Sequence, residues 1–348
     1  MTSHKIALDW VRREVDSGRL PCAVFGAATS SGIEVLEAYG THDGRATRVD
    51  DHFALFSVTK PIVGLAAMRQ VERGLMSLRR PLAEVLPGFA RKDVTLWHLL
   101  THTSGIFEQT LNPDDLVEHL VTAPSLFEAG TLSHYSNLAF TGIAEMVRDV
   151  TGRDVASVID DELNPLGGLT FDPDCSPAEV HGLDLFGPGF DFPAFIRLRH
   201  PAGALFSRAE DLLELGSALL RGSVVHPVTH AAMTTPQTTG LVKLQPDPVN
   251  AGQDWGLPWN LRHSAPGLLE RRLYGHGGAS GCQWWMYPDH DACFVLLINV
   301  VAPSLRGVDI DNLHNAFTTG LPTTPFSAAA PDALASGVAP SAAFGSGA

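Results

Sequence analysis

The sequence predicts an α+β fold: an antiparallel sheet flanked by terminal helices, with a mainly helical domain inserted into it. Three observations lead there. Two short apolar runs split by a turn signal lie near the N-terminus, a second set of β-like segments lies near the C-terminus, and the stretch between them has helical periodicity. A chain that makes strands at both ends and helices between must leave the sheet and return to it. The sheet domain is therefore expected over 1–80 and 221–326, and the helical domain over 81–220.

Each element follows from local chemistry. MTSHKIALDWVRREVDSGRLP puts Ala7, Leu8, Val11 and Val15 on one side of an amphipathic helix. Its charges run throughout, unlike a secretory leader with an apolar centre. PCAVFGAATSSGIEVLEAYGTHD reads as two strands turning at Ser30-Ser31-Gly32. FSVTKP (Phe56–Pro61) opens a helix of about 15 residues that carries Ile62, Val63, Leu65, Ala66, Met68 and Val71 and stops at Gly74. Between about 80 and 220, VTLWHLLTHTSG, AFTGIAEMVRDVTG and SRAEDLLELGSALLRG are helices, each closed by glycine. LYGHGG, GCQWWMYP and ACFVLLINVV return to β character, and a helix around 303–319 follows. From Ser327 to Ala348 the chain is rich in Ala, Ser, Gly and Pro and nearly uncharged, which predicts a disordered tail over 327–348.

Composition narrows the function. The chain of 348 residues is 45% hydrophobic and 18% charged, the balance of a soluble globular protein. Its 24 basic and 38 acidic residues give a net charge of −14, which argues against nucleic acid or an anionic membrane as partner. No segment approaches the roughly 18 apolar residues of a membrane span, and a cytoplasmic location is expected. The four cysteines form no C-x-x-C pair. Cys282 and Cys293 fall on successive β-like segments and can pair, but buried free thiols are the expected state.

Three groups of residues carry possible chemistry. Lys60 is one of only four lysines against twenty arginines, and lysine, unlike arginine, can lose its proton when desolvated. Ser57 lies one helical turn away, so a neutral Lys60 amine can take its proton as it attacks a carbonyl. The alternative is an ordinary helix start, since Ser, Thr and Pro all favour a first turn. Tyr135 with Asn137 two residues on is the second group. A phenol beside a cationic lysine is expected to have a lowered pKa and to relay protons, and the amide to orient the lysine or the substrate. The alternative is a buried tyrosine and a capping asparagine. The third group is Gly275-His276-Gly277-Gly278-Ala279-Ser280-Gly281, a strand that lets substrate approach the backbone and offers N–H groups to an oxyanion. A bulge or tight turn is its alternative.

Other signatures fail. The glycine strand lacks the last glycine of G-x-G-x-x-G, and no G-x-S-x-G occurs. His98 and His102 have i,i+4 spacing without the acid of H-E-x-x-H, and read as a packed, hydrogen-bonded pair. Neither a metal nor a cofactor is expected.

Ser-x-x-Lys, Tyr-x-Asn and a Gly-rich His-x-Gly strand, in that order, resemble the penicillin-recognising serine hydrolases: class C β-lactamases, DD-peptidases and family VIII carboxylesterases. LLTHTSG (Leu99–Gly105), PAGALFSRAEDL (Pro201–Leu212), MTTPQ (Met233–Gln237) and WGLPW (Trp255–Trp259) extend the likeness over most of residues 1–320, and SVTKPIV is similar to the esterase branch. The resemblance implies a β-lactamase/DD-peptidase-like fold, with Ser57 as acylated nucleophile, Lys60 as its activator and Tyr135 as general base and then acid. It also implies substrate contacts from Asn137, His276, Gly277 and Gly278, and an oxyanion hole from the backbone N–H groups of Ser57 and Ala279. One departure matters: β-lactamases usually place K-T-G where this chain has His276-Gly277-Gly278, and an unperturbed histidine is mostly uncharged at neutral pH. A small neutral ester or amide therefore fits better than a penicillin. A carboxylesterase is the expected activity. A D-amino-acid amidase or peptidase, a weak β-lactamase and an acyltransferase are the alternatives of the same fold, and a non-catalytic binding module is the alternative of another class.

Overall fold

The apolar runs at the two chain ends meet in one sheet, in a computed structural model that describes residues 4–175, 177–244, 252–265 and 270–322. The chain begins with α1 (Lys5–Asp16), β1 (Cys22–Thr29), β2 (Gly32–His42), β3 (Arg45–Ala46), β4 (Phe53–Ala54) and α2 (Thr59–Glu72). Helices follow: α3 (Leu96–Leu100), α4 (Leu116–Thr122), α5 (Leu138–Thr151), α6 (Val155–Leu163) and α7 (Phe192–Arg197). Then come β5 (Phe206–Ser207), α8 (Ala209–Leu220), α9 (Pro227–Thr234), β6 (Asp254–Trp255) and β7 (Asn260–Leu261). The described part closes with β8 (Tyr274–Gly277), β9 (Gln283–Tyr287), β10 (Ala292–Leu297) and α10 (Ile310–Gly320).

Eight strands form an antiparallel sheet in the order β3-β2-β1-β10-β9-β8-β7-β6. The central pairing sets Phe25 opposite Leu296 and Ala27 opposite Phe294, joining the two ends of the chain. Period-two alternation gives the sheet two dry faces. Phe25, Trp285, Phe294 and Leu296 pack with α1 and α10, whereas Val24, Trp284, Val295 and Leu297 face the large core that includes α2 and α5. This accounts for the continuous apolar run of β10, every residue of which is buried.

Several elements differ from expectation. Helix α8, counted by sequence with the helical domain, lies on the sheet. A Cβ added at Gly216 would stand 2.8 Å from the Cys293 sulfur, so the glycine lets this helix sit directly on β10. VTLWHLLTHTSG yields only the short α3, because His102 turns to a φ of 56° and ends the helical path. The helix around 303–319 splits into a 3-10 turn at Pro303–Arg306 and α10, with Gly307 at a φ of 77° between them. The two-residue strands β6 and β7 were too short for a periodic signal. The tail at 327–348 lies outside the described residues. All four cysteines are free; Cys22, Cys282 and Cys293 are buried in or beside the sheet, and Cys175 is half-buried. Among the described residues, no helix is long and apolar enough to cross a membrane.

Candidate active site

The turn before α2 is held from outside its own segment. β4 pairs with β5, and the Leu55 amide donates to Leu205 O at 2.9 Å. Phe56 then takes a φ of 45°, a left-handed conformation that costs a non-glycine residue roughly 1–3 kcal/mol. Its ring stacks on Phe186, Phe192 and Phe195 at 5.6, 5.5 and 6.1 Å, which holds the strained turn in place. The half-buried Ser57 follows, and α2 carries Lys60 one turn on. This helix is apolar nearly all round because it is buried nearly all round, from Thr59 to Met68.

Ser57 and Lys60 do meet. Lys60 Nζ donates to Ser57 Oγ at 3.0 Å, to Asn137 Oδ1 at 2.8 Å and to Ala202 O at 3.0 Å. It also stands 4.6 Å from the centre of the Tyr135 ring and 5.5 Å from that of Phe140. Burial pushes the Lys60 ammonium down to about 7, against the charge of Glu108, which favours the protonated form. Such an amine gives up its proton far more readily than an exposed lysine does.

Tyr135 OH donates to Ser57 Oγ at 2.8 Å. The loop with His102 places it: His102 O accepts the His134 amide at 2.9 Å, and His102 Nδ1 accepts the Ser136 amide at 3.1 Å. The His102 ring also stacks on Tyr135 at 4.5 Å, with Trp255 behind both. The lowered phenol pKa expected beside a cationic lysine is corrected here. Burial raises the Tyr135 pKa, and the Ser57 contact opposes this only in part. The phenol is therefore a proton donor at rest.

The glycine strand forms the facing wall. Ser57, Tyr135, His276, Gly277, Gly278 and Ala279 share one cleft of about 790 Å³. His276 Nδ1–H donates to Gly277 O at 2.7 Å, which leaves Nε2 as an unprotonated acceptor. Burial and the charge of Lys60 push the His276 pKa down to about 3, so the ring is neutral at physiological pH. Gly278 is packed on the turn that carries Ser57: a Cβ there would lie 2.1 Å from Leu55 O. Since that contact is backbone, Gly278→Ala must push the glycine strand away from Ser57. We expect kcat to fall about 100-fold, the scale of one lost oxyanion donor, as steady-state assay of the purified variant would show.

Sequence reasoning missed Glu108 and His200, which carry no motif. It singled out His102 only as part of a packed pair. The expected His98–His102 pair is corrected: His98 Nδ1 accepts the Thr95 amide at 3.1 Å, whereas His102 packs on Tyr135 and Trp255. Among the tryptophans, Trp285 lines the cleft and Trp255 backs Tyr135 and His276, while Trp259 and Trp284 pack on each other in the core. Among the described residues, no group of three or more His, Cys, Asp or Glu is placed to hold a metal ion.

The likeness to known proteins runs along most of the chain. Residues 8–316 match the family model described as Beta-lactamase. Esterase EstB of Burkholderia gladioli is 34% identical over 173 residues, which span 41% of this chain and 44% of the esterase. A solved beta-lactamase (Mb2281c) of Mycobacterium bovis is 27% identical and superposes with a TM-score of 0.63, covering 88% of this chain and 99% of its own. The structure of EstCE1, described as a hydrolase with promiscuous acyltransferase activity, has a TM-score of 0.74 over 90% of this chain and 98% of its own. At 21% identity, EstCE1 speaks to the fold alone.

Proposed function

The chain belongs to the beta-lactamase family of serine hydrolases, and from that premise we propose that it is a carboxylesterase-type enzyme cleaving small neutral esters through an acyl-enzyme at Ser57. The observation that carries this reading is the hydroxyl of Ser57 set between a buried amine and a buried phenol.

The protons balance over one cycle. In its neutral form Lys60 has two N–H groups, which Asn137 Oδ1 and Ala202 O occupy, so its lone pair is left facing Ser57. Ser57 attacks the ester carbonyl while Lys60 takes its proton. In this reading the backbone N–H groups of Ser57 and Ala279 receive the developing oxyanion. As the tetrahedral species collapses, the leaving alkoxide takes the Tyr135 proton. The phenolate then sits beside the Lys60 ammonium and is stabilised by it. In deacylation the phenolate takes a proton from water, the hydroxide attacks the acyl carbon, and Ser57 oxygen departs with the proton held on Lys60. All three groups return to their starting states. Tyr135 thus acts as acid and then base, the inverse of the order the family resemblance implies; its raised pKa supports this order.

His276 supports the neutral substrate. A penicillin presents a carboxylate, and here a neutral, nearly buried ring whose Nε2 is an acceptor would meet it instead of a cation. Turnover of p-nitrophenyl butyrate is expected to exceed that of nitrocefin by well over tenfold in kcat/KM; faster nitrocefin hydrolysis reverses the assignment. For the ester, kcat/KM should fall below about pH 7 with unit slope, as Lys60 takes up the proton that disables it as a base.

A further inference from the structure

Behind the reacting groups lie two buried side chains that the cycle above leaves unused. Glu108 is 10% exposed and His200 is 0% exposed, and neither belongs to a helix or strand. Asn137 Nδ2 donates to Glu108 Oε2 at 2.7 Å, while Asn137 Oδ1 accepts from Lys60. Glu108 Oε1 stands 3.4 Å from His200 Nε2. At its other nitrogen, His200 Nδ1 accepts the amide of Ala202 at 3.1 Å, and the carbonyl of that same residue accepts from Lys60.

We propose that Glu108 and His200 are positioning residues that aim the Lys60 lone pair at Ser57, by closing a circuit from Lys60 through Asn137, Glu108, His200 and Ala202 back to Lys60. The inference rests on the reading of Ser57 as nucleophile and Lys60 as its base. A carboxylate only accepts hydrogen bonds, so it can face only the NH₂ end of the Asn137 amide. That fixes Oδ1 on Lys60 and prevents the amide from flipping. His200 does the equivalent at the second acceptor. With Nδ1 occupied as an acceptor, its ring proton sits on Nε2, 3.4 Å from Glu108 Oε1; neither buried atom has a hydrogen-bond partner, so the two meet as a close polar contact that closes the circuit without a formal hydrogen bond. One Glu-His pair therefore orients both acceptors that occupy the amine's N–H groups.

The pair also supplies charge. Around Lys60, Ser57 and Tyr135 are neutral at rest, and the cation itself helps to hold His102 and His276 in their neutral forms. His200 reaches the amine only through the Ala202 peptide. Glu108 is the anion among these groups, one amide away from the ammonium that forms during acylation, and it favours the protonated lysine.

Glu108→Gln tests the proposal, with pH–rate profiles measured on p-nitrophenyl butyrate. Without the anion, the acid limb of kcat/KM is expected to move down by about one pH unit. The plateau kcat is expected to fall about tenfold, because a weaker and less fixed base remains, with KM unchanged. Glu108→Asp, which keeps the charge, should keep the limb at the wild-type position. A folded Glu108→Gln protein with a wild-type limb overturns the proposal, as does a loss of stability without a limb shift. His200→Phe keeps the ring that stacks on Phe195 at 5.2 Å but removes both nitrogens, and it serves if the first variant does not fold. A fall in kcat at constant KM is expected there, and wild-type kcat again overturns the circuit. Labelling of the wild type by an organophosphonate separates the layers. No label at Ser57 overturns the nucleophile reading together with this one, whereas a labelled wild type with an unmoved limb in Glu108→Gln overturns this one alone.

Discussion

Ser57→Ala is expected to lower kcat for p-nitrophenyl butyrate by at least about 10⁴-fold while leaving the protein folded. The hydroxyl is the only part of the arrangement that forms a bond to substrate in the proposed cycle. Its loss cannot be made up by Lys60, which is fully buried behind it. Little else changes. The hydroxyl is held by Lys60 and Tyr135, and both of those side chains keep packing contacts when it is gone. Intact mass after organophosphonate treatment gives the independent check, with stoichiometric label on the wild type and none on the variant. Wild-type activity in Ser57→Ala would remove Ser57 as nucleophile outright.

Lys60→Met should lower kcat about 10³- to 10⁴-fold, the range of a lost general base. It should also change how stability depends on pH. In the folded protein the amine has its pKa pushed from 10.5 down to about 7. Between those values the unfolded chain binds a proton that the folded chain does not, so wild-type stability rises with pH across that interval. Below about pH 7 both states carry the proton, and the folded state holds a buried ammonium at full cost. The methionine variant has no such term. Its thermal midpoint relative to wild type should therefore be most favourable near pH 6 and decline steadily toward pH 10. A difference that is flat with pH means that Lys60 is not desolvated as described.

Much of this was legible in the chain. β1, β9, β10, α2, α5 and α8 announce themselves because each buries a sustained apolar stretch. Ser57, Lys60, Tyr135 and Asn137 were visible as short spacings, and the structure brings all four into hydrogen-bond contact. Glu108 and His200 were not visible, because each lies in a loop: Glu108 meets Asn137 across 29 residues, and His200 acts through Ala202, which meets Lys60 across 142. The protonation of Tyr135 was misjudged for a related reason. Proximity to a lysine can be read from a motif, but the dry packing of the ring against His102 and Trp255 depends on segments brought together only by folding. The site of α8 escaped notice because a helix that packs on a sheet and one that packs on helices show the same periodicity.

The three buried thiols give the protein an internal gauge. Burial raises the Cys22 and Cys293 thiols to about 12 and the Cys282 thiol to about 11, so each is both hidden and protonated in the native state. They report from the strand pairing that joins the chain's two ends, since Cys22 lies in β1 and Cys293 in β10. A thiol reagent reaches them only when that sheet opens, and the rate of modification counts opening events independently of catalysis. Any substitution in the cleft can thus be sorted without substrate: a variant that loses turnover while these sulfurs stay silent has lost its chemistry and kept its scaffold.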